Sequence, residues 1–143
     1  MARPVRNRKI CNPPIMAGFR PFGMPLCELE AIKLQIDEYE SIKLVNYEGL
    51  PQEIAAVRMN VSRPTLTRVY NSALKKIAKA FVEGLAIEIE GGKIEFDKEW
   101  YKCNRCYKLF EGIDKHIKCA DCPLYGKTEL VNINPIKKPK SPK

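Results

Sequence analysis

The stretch QEIAAVRMNVSRPTLTRVYN, residues 52–71, reads as two helices joined by a tight turn. In the first, Gln52 to Met59, Ile54, Ala55 and Met59 supply an apolar side, and Ala56 is small enough for a second helix to cross closely. Asn60 breaks the pattern. Asn is one of the few non-glycine residues that tolerate the left-handed conformation of a sharp turn. Val61 plugs the corner. Ser62 is placed as an N-cap, and Pro64 falls in the first turn of the second helix, where a missing N–H costs nothing. That helix runs to about Glu83. At about 100° per residue, Leu66, Val69, Tyr70, Ala73, Ile77 and Phe81 gather on one face, with Thr67, Arg68, Asn71, Lys75 and Lys79 on the other. A helix that exposes Thr, Arg and Asn near its start is equipped to enter a major groove and read base edges.

Charge sets this stretch apart from its surroundings. Residues 58–82 carry Arg58, Arg63, Arg68, Lys75, Lys76 and Lys79 without an acid, a balance of +6. The preceding 28–57 carry seven acids against Lys33 and Lys43, a balance of −5. Both ends are basic again: Arg3, Arg6, Arg8, Lys9 and Arg20 at one, and Lys127, Lys137, Lys138, Lys140 and Lys143 against Glu129 at the other. The 143 residues sum to +8, and that distribution points to a polyanion partner. A solvated basic face on an ordinary helical bundle is the competing reading. Agreement of turn residue, cap, spacing and charge favours a helix-turn-helix. No apolar segment follows the basic start MARPVRNRKI, and no run is long enough to span a membrane. A cytoplasmic protein is expected, its six cysteines kept reduced.

Around this centre the chain divides into four. Residues 1–27 are a basic, proline-rich arm, expected to lie extended over the body, pinned by Phe19 and Phe22, with Cys11 and Cys27 as buried thiols. Residues 28–97 are the helix-turn-helix domain. Within it Ala31 to Ile36 alternates like a half-buried strand, and a helix follows from a capping box of Asp37 and Glu40 to Gly49. LAIEIEGGKIEFD, residues 85–97, reads as a hairpin around Gly91-Gly92, which the strand at 31–36 joins in a small sheet. The expected fold is mainly α with a small β-sheet.

Residues 98–128 hold Cys103-Asn-Arg-Cys106 and, twelve residues on, Cys119-Ala-Asp-Cys122. Two such pairs make a four-thiolate tetrahedral site in a small zinc-ribbon-like module. Its apolar residues (Tyr107, Leu109, Phe110, Ile117, Leu124 and Tyr125) are too few to fold it alone, so the ion supplies much of the folding energy. Zinc is expected, iron suits the same thiolates, and His116 stays on the surface. Residues 129–143 read as a basic disordered tail.

Several stretches together carry a resemblance. They are the basic start with Cys11, FRPFGMPLCELE (19–30), IDEYESIKL (36–44), the QEIAAVRMNVSRPTLTRV core (52–69) and LAIEIEGG (85–92). The chain resembles, over roughly residues 3–92, the bacterial and archaeal family called domain of unknown function 134, or uncharacterised protein family 0251, whose members are predicted to bind DNA. The core also looks like region 4 of sigma-70-type factors, which reads the −35 promoter element. The resemblance implies a winged or sheet-flanked helix-turn-helix and a role in transcription. The four-cysteine module lies outside it.

A sequence-specific, double-stranded-DNA-binding regulator is therefore expected. Thr67, Arg68 and Asn71 would face base edges with Thr65 beside them; Arg63, Lys75, Lys76 and Lys79 would hold phosphates; Arg3, Arg6 and Arg8 of the arm would follow the backbone or an adjacent groove. One short reading helix discriminates weakly, so a homodimer on a two-fold site is expected. The zinc module would be structural or would carry a dimer or RNA polymerase contact. The alternatives are a metal or redox sensor or rubredoxin-like iron protein, and an RNA-binding or polymerase-associated adaptor. An enzyme is not expected. There is one histidine and no phosphate-cradling glycine loop, and four thiolates leave a metal no open position.

Overall fold

The structure, a computed structural model, describes residues 7–104, 107–112 and 130–135. Its elements run β1 (Arg8–Ile10), β2 (Gly18–Phe19), β3 (Ala31–Leu34), α1 (Ile36–Ile42), α2 (Gln52–Arg58), α3 (Arg63–Glu83), β4 (Ala86–Ile89), β5 (Ile94–Phe96), β6 (Trp100–Cys103), β7 (Leu109–Glu111) and β8 (Leu130–Asn132). Among the described residues, three α-helices and three small sheets make a mixed α/β fold rather than a mainly α one. The strands that shift the balance come from the arm and from the cysteine region, where no clean alternation announces them.

Prolines keep the arm extended, as expected, but it is built into the sheets. β1 pairs parallel with β5, and β2 pairs antiparallel with β4, whose other edge takes β3 in parallel. Ile10 is fully buried and Met16 packs against Leu34, Ala73 and Ile89, so these two residues pin the arm. Phe19 and Phe22, expected to do so, are exposed. Gly18 is where the arm comes closest: a Cβ there would sit 1.8 Å from the Ile87 carbonyl oxygen.

The expected hairpin is split. Gly91 and Gly92 do turn the chain with positive φ, but β4 and β5 do not pair with each other. A strand has two edges, and those of β4 are already taken by β2 and β3, so β5 continues to β1. The turn is tied to the end of β3 instead: the Glu90 amide donates to the Leu34 carbonyl and the Ile36 amide to the Gly91 carbonyl.

α1 opens with a capping box two residues earlier than the sequence suggested. Gln35 is its N-cap, and the Gln35 amide donates to Glu38 Oε1 at 3.0 Å. Asp37 and Glu40 are instead engaged by Arg8 and Lys43. The helix continues as a π-turn over Lys43–Tyr47 and stops at Gly49, whose φ is 69°. Asn60, at φ 56°, reverses the chain between α2 and α3, as its side chain permits. Ser62 caps α3 by accepting from the Thr65 amide, Pro64 lies in the first turn, and left-handed Gly84 closes the helix.

Val61 packs on the cluster of Leu44, Ala55, Ala56, Met59 and Leu66, the contact between α2 and α3. Along α3 the inward positions are Leu66, Ala73 and Ala80, seven apart. Ala80 occupies the last inward position, so Phe81 is rotated out of the core and exposed, against expectation. Ile54 is likewise exposed on α2.

β6 stands between β7 and β8 in an antiparallel sheet, with Cys103 opposite Leu130. Leu130–Asn132, expected within the disordered tail, is therefore a strand. Among the described residues, no helix is long and apolar enough to cross a membrane.

Candidate nucleic-acid interface

The outward face of α3 carries Arg68, Asn71, Lys75 and Lys79, all exposed. Its first turn is ordered by its own side chains. The Ser62 hydroxyl donates to Thr65 Oγ1 at 2.9 Å, and Arg68 Nη2 donates to the same oxygen at 3.3 Å. Thr65 thus orients Arg68 from one helical turn away. Arg63 is paired at 2.9 Å with Glu53 of α2, both side chains being solvated.

Two expected members of this face are turned away from it. The Thr67 hydroxyl donates to Gln52 Oε1 at 2.7 Å and fastens α3 to α2. Lys76 pairs with Glu38 of α1, beside the Ser72 hydroxyl, which donates to Glu38 Oε2 at 2.7 Å. Arg8 is also committed: it is mostly buried and lies 3.2 Å from Asp37. Arg3 and Arg6 lie outside the described residues.

These partners explain where the negative charge of residues 28–57 goes. Asp37, Glu38 and Glu40 are all buried, and each faces a cation from a different position: Arg8 of β1, Lys76 of α3 and Lys43 of the π-turn, the last 3.0 Å from Glu40. Burial pushes the Asp37 carboxyl above its ordinary pKa, with Arg8 opposing, and does the same to Glu40, with Lys43 opposing. With three acids taken inside, the surface of α3 keeps its positive field. Sequence reasoning missed this cluster, although a signal was present. Asp37, Glu40, Ser41 and Leu44 stand at the i, i+3, i+4, i+7 spacing of an inward stripe, with acids in two of its places.

Of the four expected metal ligands only Cys103 is described; Cys106, Cys119 and Cys122 lie outside the described residues. Cys103 is fully buried beside Phe110 and Leu130. The chain reverses directly after it: the Tyr107 amide donates to the Cys103 carbonyl, the Cys103 amide donates to the Lys108 carbonyl, and Tyr107 takes φ 59°. Among the described residues no three His, Cys, Asp or Glu side chains come together to hold a metal. Cys11 and Cys27 are exposed rather than buried. Partial desolvation and the neighbouring Glu40 push the Cys11 thiol above its ordinary pKa.

The family described as "Protein of unknown function DUF134" matches residues 1–97. A UPF0251 protein of Halothermothrix orenii is 43% identical over 111 residues, covering 78% of this chain and 82% of that protein. UPF0251 proteins of Moorella thermoacetica and Clostridium acetobutylicum are 42% and 40% identical, covering 94% and 92% of this chain and 89% and 91% of their own lengths. No solved structure matches the chain.

Proposed function

The chain belongs to the DUF134 family, and we propose that it is a cytoplasmic, sequence-specific DNA-binding protein that regulates transcription, with α2 and α3 as a sigma-region-4-like helix-turn-helix. One observation carries the reading. α3 presents Arg68, Asn71, Lys75 and Lys79 on a single open face, while the acids of α1, Asp37, Glu38 and Glu40, are buried behind it. Arg68, held by Thr65, and Asn71 address base edges, since Arg and Asn are the side chains suited to bidentate contact with guanine and adenine. Lys75, Lys79 and Arg63 hold phosphates, Arg63 exchanging Glu53 for the backbone, and Arg3 and Arg6 add contacts from the arm. Thr67, Lys76 and Arg8 act one step back, fixing α2, α1 and β1 around the reading helix.

Cys103, Cys106, Cys119 and Cys122 hold a structural zinc ion in this proposal. Their spacing supports it, and the reversal of the chain after buried Cys103 suits a metal-binding knuckle. Selection of bound fragments from a random duplex pool, repeated with RNA of matched length at moderate salt, tests the function. Recovery of one duplex motif with weak RNA binding is the expected result. Equal retention of every duplex, or preference for RNA, rejects it.

A further inference from the structure

Beside the Gly91-Gly92 turn lies a cavity of about 460 Å³, lined by Arg8, Gln35, Gly92 and Lys93. Its residues come from three parts of the chain, and the fold brings them together. The Arg8 amide donates to the Lys93 carbonyl at 2.9 Å, which sets the two basic residues next to each other where β1 and β5 begin to pair. Gly92, at φ 102°, presses onto the start of α1: a Cβ there would stand 3.0 Å from Asp37 Oδ1 and 3.5 Å from the Gln35 Cβ. Only glycine meets both demands, and it leaves that wall of the cavity bare.

The chemistry of the lining is one-sided. It offers a guanidinium, an ammonium and a carboxamide, and among the described lining residues there is no acid and no apolar side chain. Asp37 stands behind it, 3.2 Å from Arg8 Nη1. That pair leaves Arg8 Nε buried and without a hydrogen-bond partner among the described residues. Lys93 is exposed and has no ion pair among the described residues. Across the turn a second cavity, of about 350 Å³, is lined by Lys33, Gln35, Lys76, Glu90 and Gly91. There Lys33 is paired with Glu90 and Lys76 with Glu38, so those charges cancel, whereas Arg8 and Lys93 against Asp37 leave one positive charge.

We propose that the cavity between Arg8, Gln35, Gly92 and Lys93 is a binding site for a phosphate group. Ionised phosphate oxygens accept hydrogen bonds, and every polar side chain of the lining can donate them. Lys93 supplies a mobile point charge, Gln35 an amide N–H, and Arg8 the guanidinium edge that matches a phosphate with two parallel bonds. Nε is shielded from solvent, so the Arg8 side chain rotates to present it, and the ligand then gives that donor the acceptor it lacks. The cavity is larger than a phosphate group and falls within the roughly 300–1,000 Å³ of small-molecule sites. Without an aromatic side chain to stack a base, the remaining space suits a polar carrier such as a sugar. Two sources present this chemistry, a free phosphate ester and the backbone of DNA. The second rests on the DNA-binding reading; the first does not.

Titration calorimetry of the full chain, dialysed free of phosphate, tests the site with inorganic phosphate, with glucose 6-phosphate and, separately, with a short DNA duplex. The wild type is expected to take one equivalent of glucose 6-phosphate. Lys93→Gln should weaken that binding at least tenfold and Lys93→Glu abolish it, with circular dichroism unchanged because the side chain is exposed. Lys9→Gln removes the same charge from the opposite side of β1 and should leave the free ligands bound as before. If neither free ligand binds, but Lys93→Gln weakens the duplex and lowers its salt slope by about one, the phosphate is that of DNA. Free-ligand binding that the Lys93 variants leave intact, or that Lys9→Gln weakens equally, overturns the proposal, as does no effect of Lys93→Gln in either arm. A chain that binds glucose 6-phosphate as expected and no duplex keeps this site and removes the DNA-binding reading.

Discussion

Arg68 and Lys79 lie on the same face of α3, yet they are held differently. Arg68 is steered by Thr65 in the capped first turn, whereas Lys79 extends from the helix about one turn from its C-terminal end. Arg68→Ala is expected to cost about 1–3 kcal/mol at one base position and to relax the preferred motif there. Lys79→Ala should weaken all duplexes alike and lower the salt slope by about one. Binding isotherms at several salt concentrations separate the two; an unchanged motif in the Arg68 variant would refute the docking. The buried acids allow a second test. Burial raises the folded-state pKa of Glu40 above its ordinary 4.5, so the fold holds a proton there that the unfolded chain has released. Its contribution is therefore greatest below pH 4.5 and is lost as pH rises through the raised value. Relative to Glu40→Gln, the wild type should lose stability as pH climbs from 4.5 toward neutrality. Denaturant unfolding at a series of pH values measures this, and a difference that stays flat across that range contradicts it.

At the scale of elements, the α2–α3 pair was the most legible part of the chain, because every cue in it is local. Asn60 at φ 56° and Ser62 at the cap act through their own side chains and backbone. Asn60→Gly should leave stability nearly unchanged, while Asn60→Val should cost about 1–2 kcal/mol, since a β-branched residue is strained in the left-handed region. Thermal unfolding of the two variants checks this; equal melting temperatures would show that the turn can re-form in another conformation. Strand positions were also legible from alternation, at β3, β4 and β5. Strand partners were not. Gly91-Gly92 suits a tight turn whether the strands on either side pair with each other or with third parties. The choice depended on β2, a two-residue strand seated by the close approach of Gly18. Nothing in the alternation of 86–97 registers that competitor.

On the scale of the whole molecule, among the described residues every strand from β1 to β5 finds its partner within residues 8–96, and β6 pairs with β7 and β8. The family match ends at residue 97, at the same boundary. A chain ending at Asp97 should therefore fold cooperatively and keep its helical signal. Failure of that fragment to fold would show that the later residues complete the first unit. In the full chain, Cys119→Ser combined with Cys122→Ser should abolish binding of one metal equivalent, because two thiolates cannot close a tetrahedron. Elemental analysis reads the loss, and retention of metal by the double variant would count against the four-thiolate site. The arm belongs to this scale too. Arg8 and Ile10 tie it to α1 and β5, so it is part of the fold rather than a loose basic extension.

Local sequence by itself determined α3, its cap, its turn and its basic face, because those features depend on residues within one or two helical turns of each other. Tertiary structure decided which charges remain on the surface. Arg8, Lys43 and Lys76 look as free in the sequence as Lys75 and Lys79 do. Each of the first three instead meets a carboxylate that α1 carries into the core. A buried acid must find a cation or remain protonated, and which cation reaches it is set by how β1, α1 and α3 pack. The same packing placed Ala80 inward and left Phe81, an expected core residue, exposed.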